Sequence, residues 1–325
     1  MSRHQQRKYG YLCVLAALLI VLCASIVWLQ WLRIDDASVR WQILLQFTLP
    51  MMLTAIIVGA SLSASAAALQ VLLANPLADP GIIGISSGAS LVAAVVLLSG
   101  ATLPFVEIQY ALPLACFVGA LASTALIYRI AKHLQSAPVA VVLAGIAIST
   151  LTGAVVSWLY YFADAQSLRN LTFWLMGSLY QSDWLLLSAS IPLSVIAVGY
   201  IGLKGSQLNR LFLGANTALA SGVDTHLLNQ RLILACAVAV GVAVSLAGSI
   251  AFIGLLVPHF VRLWVGHDNR FVIPLSALFG SVLLLFIGLL TELWAVTTFP
   301  VSMLTATIGG PLFIYALVKG QFRAH

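Results

Sequence analysis

Side chains able to transfer protons, attack an acyl group or hold a metal are scarce in this chain, and where they occur they stand alone. The apolar stretches contain almost no paired Asp, Glu, His or Lys from which a nucleophile–base pair or a proton relay could be assembled. Glu292 and His259 are the only candidates near the end of a stretch, a place where one carboxylate or imidazole serves more often as an interfacial residue or a cap. Cys13, Cys23, Cys116 and Cys236 each sit inside an apolar run without C-x-x-C or Cys/His spacing. They read as small buried hydrophobes rather than as a disulfide framework or a metal site. No G-x-x-x-x-G-K-[ST] phosphate loop occurs, so the chain is not expected to bind and split ATP. No catalytic residue, metal site or cofactor is expected, and energy for any active process must come from a partner.

The most distinctive segment runs Asn75-Pro76-Leu77-Ala78-Asp79-Pro80-Gly81-Ile82-Ile83-Gly84-Ile85-Ser86-Ser87-Gly88. Pro76 and Pro80 end the preceding helix, and Gly81, Gly84 and Gly88 permit close backbone approach as the chain re-enters the protein. Non-helical chain at membrane depth is tolerated only where protein or a water-filled cavity satisfies its backbone. Small residues crowd 59–68 and 241–248, which predicts helices that pack closely. Laid side by side, 59–76 and 241–258 each pair a small-residue helix with a proline-bearing break, at Asn75-Pro76 and Val257-Pro258, and a short following span. These are expected to belong to inverted repeats of about 50–162 and 230–318.

The elements that must carry these segments are set by composition. Of 325 residues, 62% are hydrophobic and 7% charged, too few charges to clothe a water-soluble surface. That excludes a soluble enzyme, a disordered chain and, despite the net charge of +6, a nucleic-acid binder. The lipid bilayer is the expected solvent. Apolar runs of spanning length lie at about 11–32, 50–73, 82–103, 108–128, 138–162, 184–203, 230–249, 251–265, 272–291 and 300–318, a single all-α transmembrane domain of about ten helices. The first run is too long for a signal core and reads as a retained span. With residues 1–10 cytoplasmic, twelve Lys and Arg (3, 7, 8, 129, 132, 204, 210, 231, 262, 270, 319 and 323) fall inside and Arg33, Arg40 and Arg169 outside. The positive-inside rule therefore places both termini in the cytoplasm.

The run from Gln70 through Asn75-Pro76-Leu77-Ala78-Asp79-Pro80-Gly81 to Ala89 resembles the signature of the FecCD-type permeases, membrane subunits of bacterial ABC importers for iron chelates, haem and cobalamin. Further matches follow in order: 171–179, Leu213-Gly214 with Ala218 and Gly222-Val223, Gly248 to Arg262 with Pro258-His259, and Leu304 to Phe313. The resemblance covers about 45–318. It implies the type II ABC importer permease fold, a homodimer with a second permease copy, a translocation path on the dimer axis, two ATPase subunits on the cytoplasmic face and a periplasmic substrate-binding protein, in the bacterial inner membrane. It further implies a coupling loop at about 204–230, with Leu211, Leu213, Gly214, Ala218, Gly222 and Val223 meeting the ATPase. Gly214, Ala218 and Gly222 recur every four residues and are expected on one helical face, flanked by Arg210 and Arg231. Ser61, Ser65, Phe173, Trp174 and Met303 are the candidate pathway residues. The implied cargo is first an iron chelate, siderophore or haem, and second cobalamin. Family members often carry R-x-P-R where this chain reads Thr48-Leu49-Pro50-Met51, charges where Ile287 and Leu290 stand, and Glu-Leu-Pro-Val-Gly where it has Thr298-Phe299-Pro300-Val301-Ser302. These departures bear on cargo. The scarcity of intramembrane charge speaks against the alternatives, an ion-coupled transporter or an intramembrane enzyme.

Overall fold

The computed structural model describes residues 3–81, 83–98, 107–134, 138–294 and 299–318, and among these no strand occurs. The helices in chain order are α1 (Arg3–Arg33), α2 (Ala37–Ile43), a π-helical turn (Leu44–Thr48), α3 (Leu49–Leu72), α4 (Ile85–Leu98), α5 (Ile108–His133), α6 (Pro138–Phe162), α7 (Ala165–Met176), α8 (Trp184–Leu203), α9 (Gly205–Phe212), α10 (Ala215–Ala220), α11 (Thr225–Ala247), α12 (Ile253–Val265), α13 (Asn269–Trp294) and α14 (Val301–Val318). Each of the ten expected spans is largely helical among its described residues; Ile82, within the third, lies outside them. Seven helical runs are long and apolar enough to cross a bilayer, while α4, α12 and α14 supply the shorter apolar helices. Residues 99–103 of the third expected span, and Lys319 and Arg323, lie outside the described residues.

The few acids are spent at helix starts. Asp36, Asp164, Asp183 and Asp224 accept backbone N–H bonds in the first turns of α2, α7, α8 and α11, and Asp268 does the same for α13 through Arg270 N at 3.2 Å. Each satisfies donors that a helix terminus otherwise leaves unpaired. The π turn has a local cause: Pro50 lacks an N–H, and the preceding Leu49 N reaches back five residues to Leu44 O. Through this wider turn α2 and α3 run on as one apolar segment, Ala37–Leu72.

α3 is the axis of the bundle and is buried along nearly its whole length. It packs on α13, α11, α12 and α8, as the crowding of small residues at 59–68 led one to expect. A Cβ on Gly59 would overlap the Gly280 carbonyl of α13, and one on Gly280 would overlap the Ser63 hydroxyl, so the two backbones touch. α4 and α5 meet through Gly88 and Gly119, where a Cβ on Gly119 would lie 2.7 Å from Gly88 O. The pairings recur: α3 packs on α13 and α11 on α5, while α4 packs on α5 and α6 and α12 on α13 and α14.

The contacts that charged side chains make between distant helices fall into two groups at opposite ends. At the basic end, Lys8 pairs with Asp268 (3.8 Å) and Arg262 reaches Gln70 (3.4 Å). At the other, Arg33 donates to the Glu292 and Leu293 carbonyls, Tyr180 Oη to Glu292 Oε1 (2.8 Å) and Tyr110 Oη to Asp183 Oδ2 (2.8 Å). Residues 3–10, expected on the cytoplasmic side, are helical and continue α1, with Lys8 buried against the Phe271 ring and paired with Asp268.

Gly59→Ala is expected to cost about 1–3 kcal/mol by overpacking, seen as a lower thermal midpoint of the purified protein. Gly199→Ala on α8, where an added Cβ meets nothing within 4 Å, should melt as the parent does.

Candidate functional site

The chain leaves α3 and turns back between 73 and 84, where its described backbone groups find partners nearby. Asn75 N donates to Gln70 O (3.0 Å), Asn75 Oδ1 accepts Leu77 N (2.9 Å) and Asp79 Oδ1 accepts Gly81 N (2.8 Å). Ile85 N returns to Pro80 O (3.1 Å), and the Ser123 hydroxyl of α5 donates to Gly84 O (2.7 Å). Gly84 has φ +94°, and a Cβ there would sit 2.9 Å from Ile127 Cδ1, so glycine is required for conformation and for space. Gly81 needs no such freedom; its neighbour is its own turn partner, Asp79.

A second break, at 248–252, precedes α12. Gly248 and Phe252 both take positive φ, +71° and +70°. Ser178 N donates to Ala247 O (2.9 Å) and the Ser302 hydroxyl to Ser249 O (2.7 Å), so the loop after α7 and the start of α14 hold it. The two breaks meet: a Cβ on Gly254 would overlap the Asp79 carboxylate and lie 3.3 Å from Pro80 Cδ. That carboxylate therefore approaches the first turn of α12, whose cap residue Phe252 offers no side-chain acceptor. Negative charge is favourable there. Pro258, expected to mark the break, lies inside α12; the interruption comes earlier, at the positive-φ pair. Pro76 and Pro80 do sit in the first break. At 14 and 13 described residues, α4 and α12 measure roughly 20 Å each against a hydrocarbon core of about 30 Å.

The expected loop at 204–230 is shorter, because α11 already begins at Thr225. Gly214, Ala218 and Gly222 do not share a helical face. Gly214 (φ +114°) and Gly222 (φ +82°) are the turning points on either side of α10, and only Ala218 lies within it. The positive dihedrals explain both glycines. Ala218 and Val223 are buried and anchor the loop, Leu211 is half-buried, and Phe212, Leu213 and Leu219 project outward, Leu213 with 71% of its surface exposed.

The five candidate pathway residues separate. Ser61 and Ser65 have no exposed surface: the Ser61 hydroxyl shares a 2.8 Å hydrogen bond with Ser194 of α8, and Ser65 O accepts the Cys236 thiol of α11 (3.8 Å). They serve close packing, and Trp174 is buried with its carbonyl against Gly248. Phe173 and Met303 are exposed. α6, expected as a span but not as a pathway element, presents Thr150, Ser157, Trp158 and Tyr161 outward. Thr150 and Ser157, like Thr307 of α14, donate to the carbonyl four residues back (2.8, 2.8 and 2.7 Å), leaving hydroxyl lone pairs outward. Hydroxyls at one-face spacing within an apolar helix were the available signal.

Other expectations resolve simply. Glu292 is an interfacial acceptor for Tyr180, and His259 is buried on α12. Cys116 and Cys236 are buried, but Cys23 is only half-buried and Cys13 faces outward from α1. Thr48 and Met51, where arginines were missed, are buried, Thr48 accepting a hydrogen bond from Gln30; Ile287 is buried as well. Thr298 lies outside the described residues. Among the described residues no three His, Cys, Asp or Glu gather as a metal site would require.

Comparison with known proteins places this geometry. The chain is 37% identical to the vitamin B12 import system permease protein BtuC of Vibrio vulnificus over 98% of its own length and 97% of that protein. It is 39% identical to the hemin transport system permease protein HmuU of Yersinia pestis over 86% and 84%. Its fold superposes with a TM-score of 0.84, at 29% identity over 94% of this chain and 99% of the other, on a protein assigned to the metal-chelate type of ABC transporters in an inward-facing conformation. The model of the FecCD transport family matches residues 11–319, and the chain belongs to that family.

Proposed function

We propose that this protein is the permease subunit of an ATP-binding cassette importer, moving a chelated metal complex across the bacterial inner membrane. The observation that supports it most strongly is the loop of α9 and α10. It sets Phe212, Leu213 and Leu219 beyond the apolar helices at the basic end, on a platform anchored by Ala218 and Val223. Exposed apolar knobs on a fixed support suit a protein partner, and an ATPase subunit is the partner that a chain without a phosphate loop requires.

The basic end faces the cytoplasm under the positive-inside rule, with the N-terminus on that side. Two copies associate, and cargo passes between the outward faces of α6 and α14, past the hydroxyls of Thr150, Ser157 and Thr307 and the Met303 side chain. A substrate-binding protein delivers cargo at the opposite end, near α7. The recurring helix pairings, with a break after α3 and another after α11, support inverted repeats at about 50–162 and 230–318. Weak polar contacts along the path suit this task, since a tight site would retain the cargo.

Cobalamin is the cargo we propose, because a relative of that specificity matches over nearly its full length. Haem is the second reading, supported by the Yersinia relative. The iron chelates, siderophore or haem, that stood first on sequence alone therefore follow cobalamin, with ferric siderophores third.

Leu213→Asp should leave the thermal midpoint unchanged but weaken association with the co-expressed ATPase subunit at least about tenfold, the effect of a buried unpaired charge. Unaltered co-purification would contradict the docking role. Uptake of labelled cyanocobalamin, haem and ferric siderophore by cells with and without the gene identifies the cargo. Loss confined to cyanocobalamin is the expected outcome, and normal cobalamin uptake in the deletion strain would remove it.

A further inference from the structure

α9 packs on α13, α3 and α8 with Leu208 fully buried, and its polar link to the bundle runs through one dipeptide, Asp268-Asn269. Asn209 Nδ2 donates to Asp268 Oδ1 (2.7 Å), and Asn209 Oδ1 accepts both the backbone N–H (2.7 Å) and the side-chain amide (2.9 Å) of Asn269. Nearby, a Cβ on Gly205 would lie 2.9 Å from Asn269 O and Arg270 Cα, and the Phe212 ring stacks on His267 at 5.2 Å. Arg210 binds α10 to α9 through Ser221 O (3.0 Å). On its other side the dipeptide leads inward. Asn269, which has no exposed surface, accepts Arg262 Nη1 through Oδ1 (3.3 Å). Arg262 also reaches Ala67 O (3.2 Å) and Gln70 Oε1 (3.4 Å) at the end of α3, next to the first break. Asp268 itself holds Arg270 (2.8 Å) and Lys8 of α1 (3.8 Å).

We infer that Asn209, Asp268, Asn269 and Arg262 are positioning residues forming a relay, which carries displacement of the α9–α10 loop into the ends of α3, α12 and α13. The inference rests on the docking role proposed for that loop. Packing alone would hold these helix ends together, and apolar side chains would do so at no desolvation cost. A hydrogen-bonded chain of four side chains adds fixed registry, because each member has one partner geometry and moves with its neighbours. Arg270 first, and Asn209 after it, hydrogen-bond the Asp268 carboxylate and hold its pKa below the usual carboxylate range, so the relay stays charged at neutral pH. The loop's apolar ties, among them Leu208, Ala218 and Val223, add packing but no hydrogen bond to Arg262.

Amide hydrogen exchange of the full-length permease, alone and bound to its ATPase subunit with nucleotide, tests the relay without knowledge of the cargo. In the parent protein, binding should change protection in 205–222 and also in 66–84 and 253–271. Asn209→Asp sets two carboxylates against each other. It should keep the change in 205–222 but reduce the distant changes about tenfold, the weight of one charge-assisted hydrogen bond. Asn209→Leu, which adds no charge, should do the same. Asn209→Asp combined with Asp268→Asn exchanges donor and acceptor and should restore the distant response. No change in 205–222 in the parent would sink the docking role itself. A distant response that persists in both single variants, or that the exchanged pair does not restore, would overturn the relay.

Discussion

The structure depends on one requirement: in a hydrocarbon solvent, every backbone group that leaves a helix must find its partner within the protein. Among the described residues the chain leaves helix between packed apolar helices at 73–84 and at 248–252, and partners for its backbone come from the turn itself or from neighbouring elements. Asn75, Asp79 and Ser123 close the first break; Ser178 and Ser302 close the second. Because Asp79 of the first lies against Gly254 at the start of α12, neither break is independent of the other. Glycine contacts then follow by necessity. Helices that must bring such loops within reach have to approach at backbone distance, as Gly59 and Gly280 or Gly88 and Gly119 do.

The same solvent accounts for how sparingly charge is used. Acids appear as helix caps, and the basic residues with described contacts at one end either pair with Asp268 or donate to carbonyl and amide oxygens. Among the described residues the ion pairs, Lys8 and Arg270 with Asp268, lie at the basic end, and under the proposed function work enters there from a partner outside the membrane. The α9–α10 platform gives it a place to enter. The polar chain through Asn209 and Arg262 gives it a route to the ends of the helices that flank the breaks.

Much of this was legible in the sequence, and the exceptions share a cause. Ten apolar runs became ten helices, the small-residue stretch of α3 became the buried axis, and Gly84 and Gly88 were needed where close approach was expected. The errors came from side-chain direction, which composition does not fix. Ser61 and Ser65 looked like pathway residues because hydroxyls are rare in apolar helices, but α3 is surrounded and they face its neighbours. Gly214 and Gly222 fell on a four-residue spacing that suggested a helical face, whereas positive φ at each marks a turn. Pro258 drew attention from the true break, because a proline within a helix and one that ends a helix look alike in sequence. Asn209 and Asp268 lie 59 residues apart, and no local pattern links them.

The central claim is that an external ATPase, not an ion gradient, drives this permease. Proteoliposomes containing the permease alone or with its ATPase subunit, substrate-binding protein and ATP, measured for accumulation of labelled cyanocobalamin and haem, test it most directly. Accumulation that requires both the ATPase and ATP, and that a proton or sodium gradient cannot replace, is the result predicted. Accumulation by the permease alone on an imposed ion gradient would contradict it.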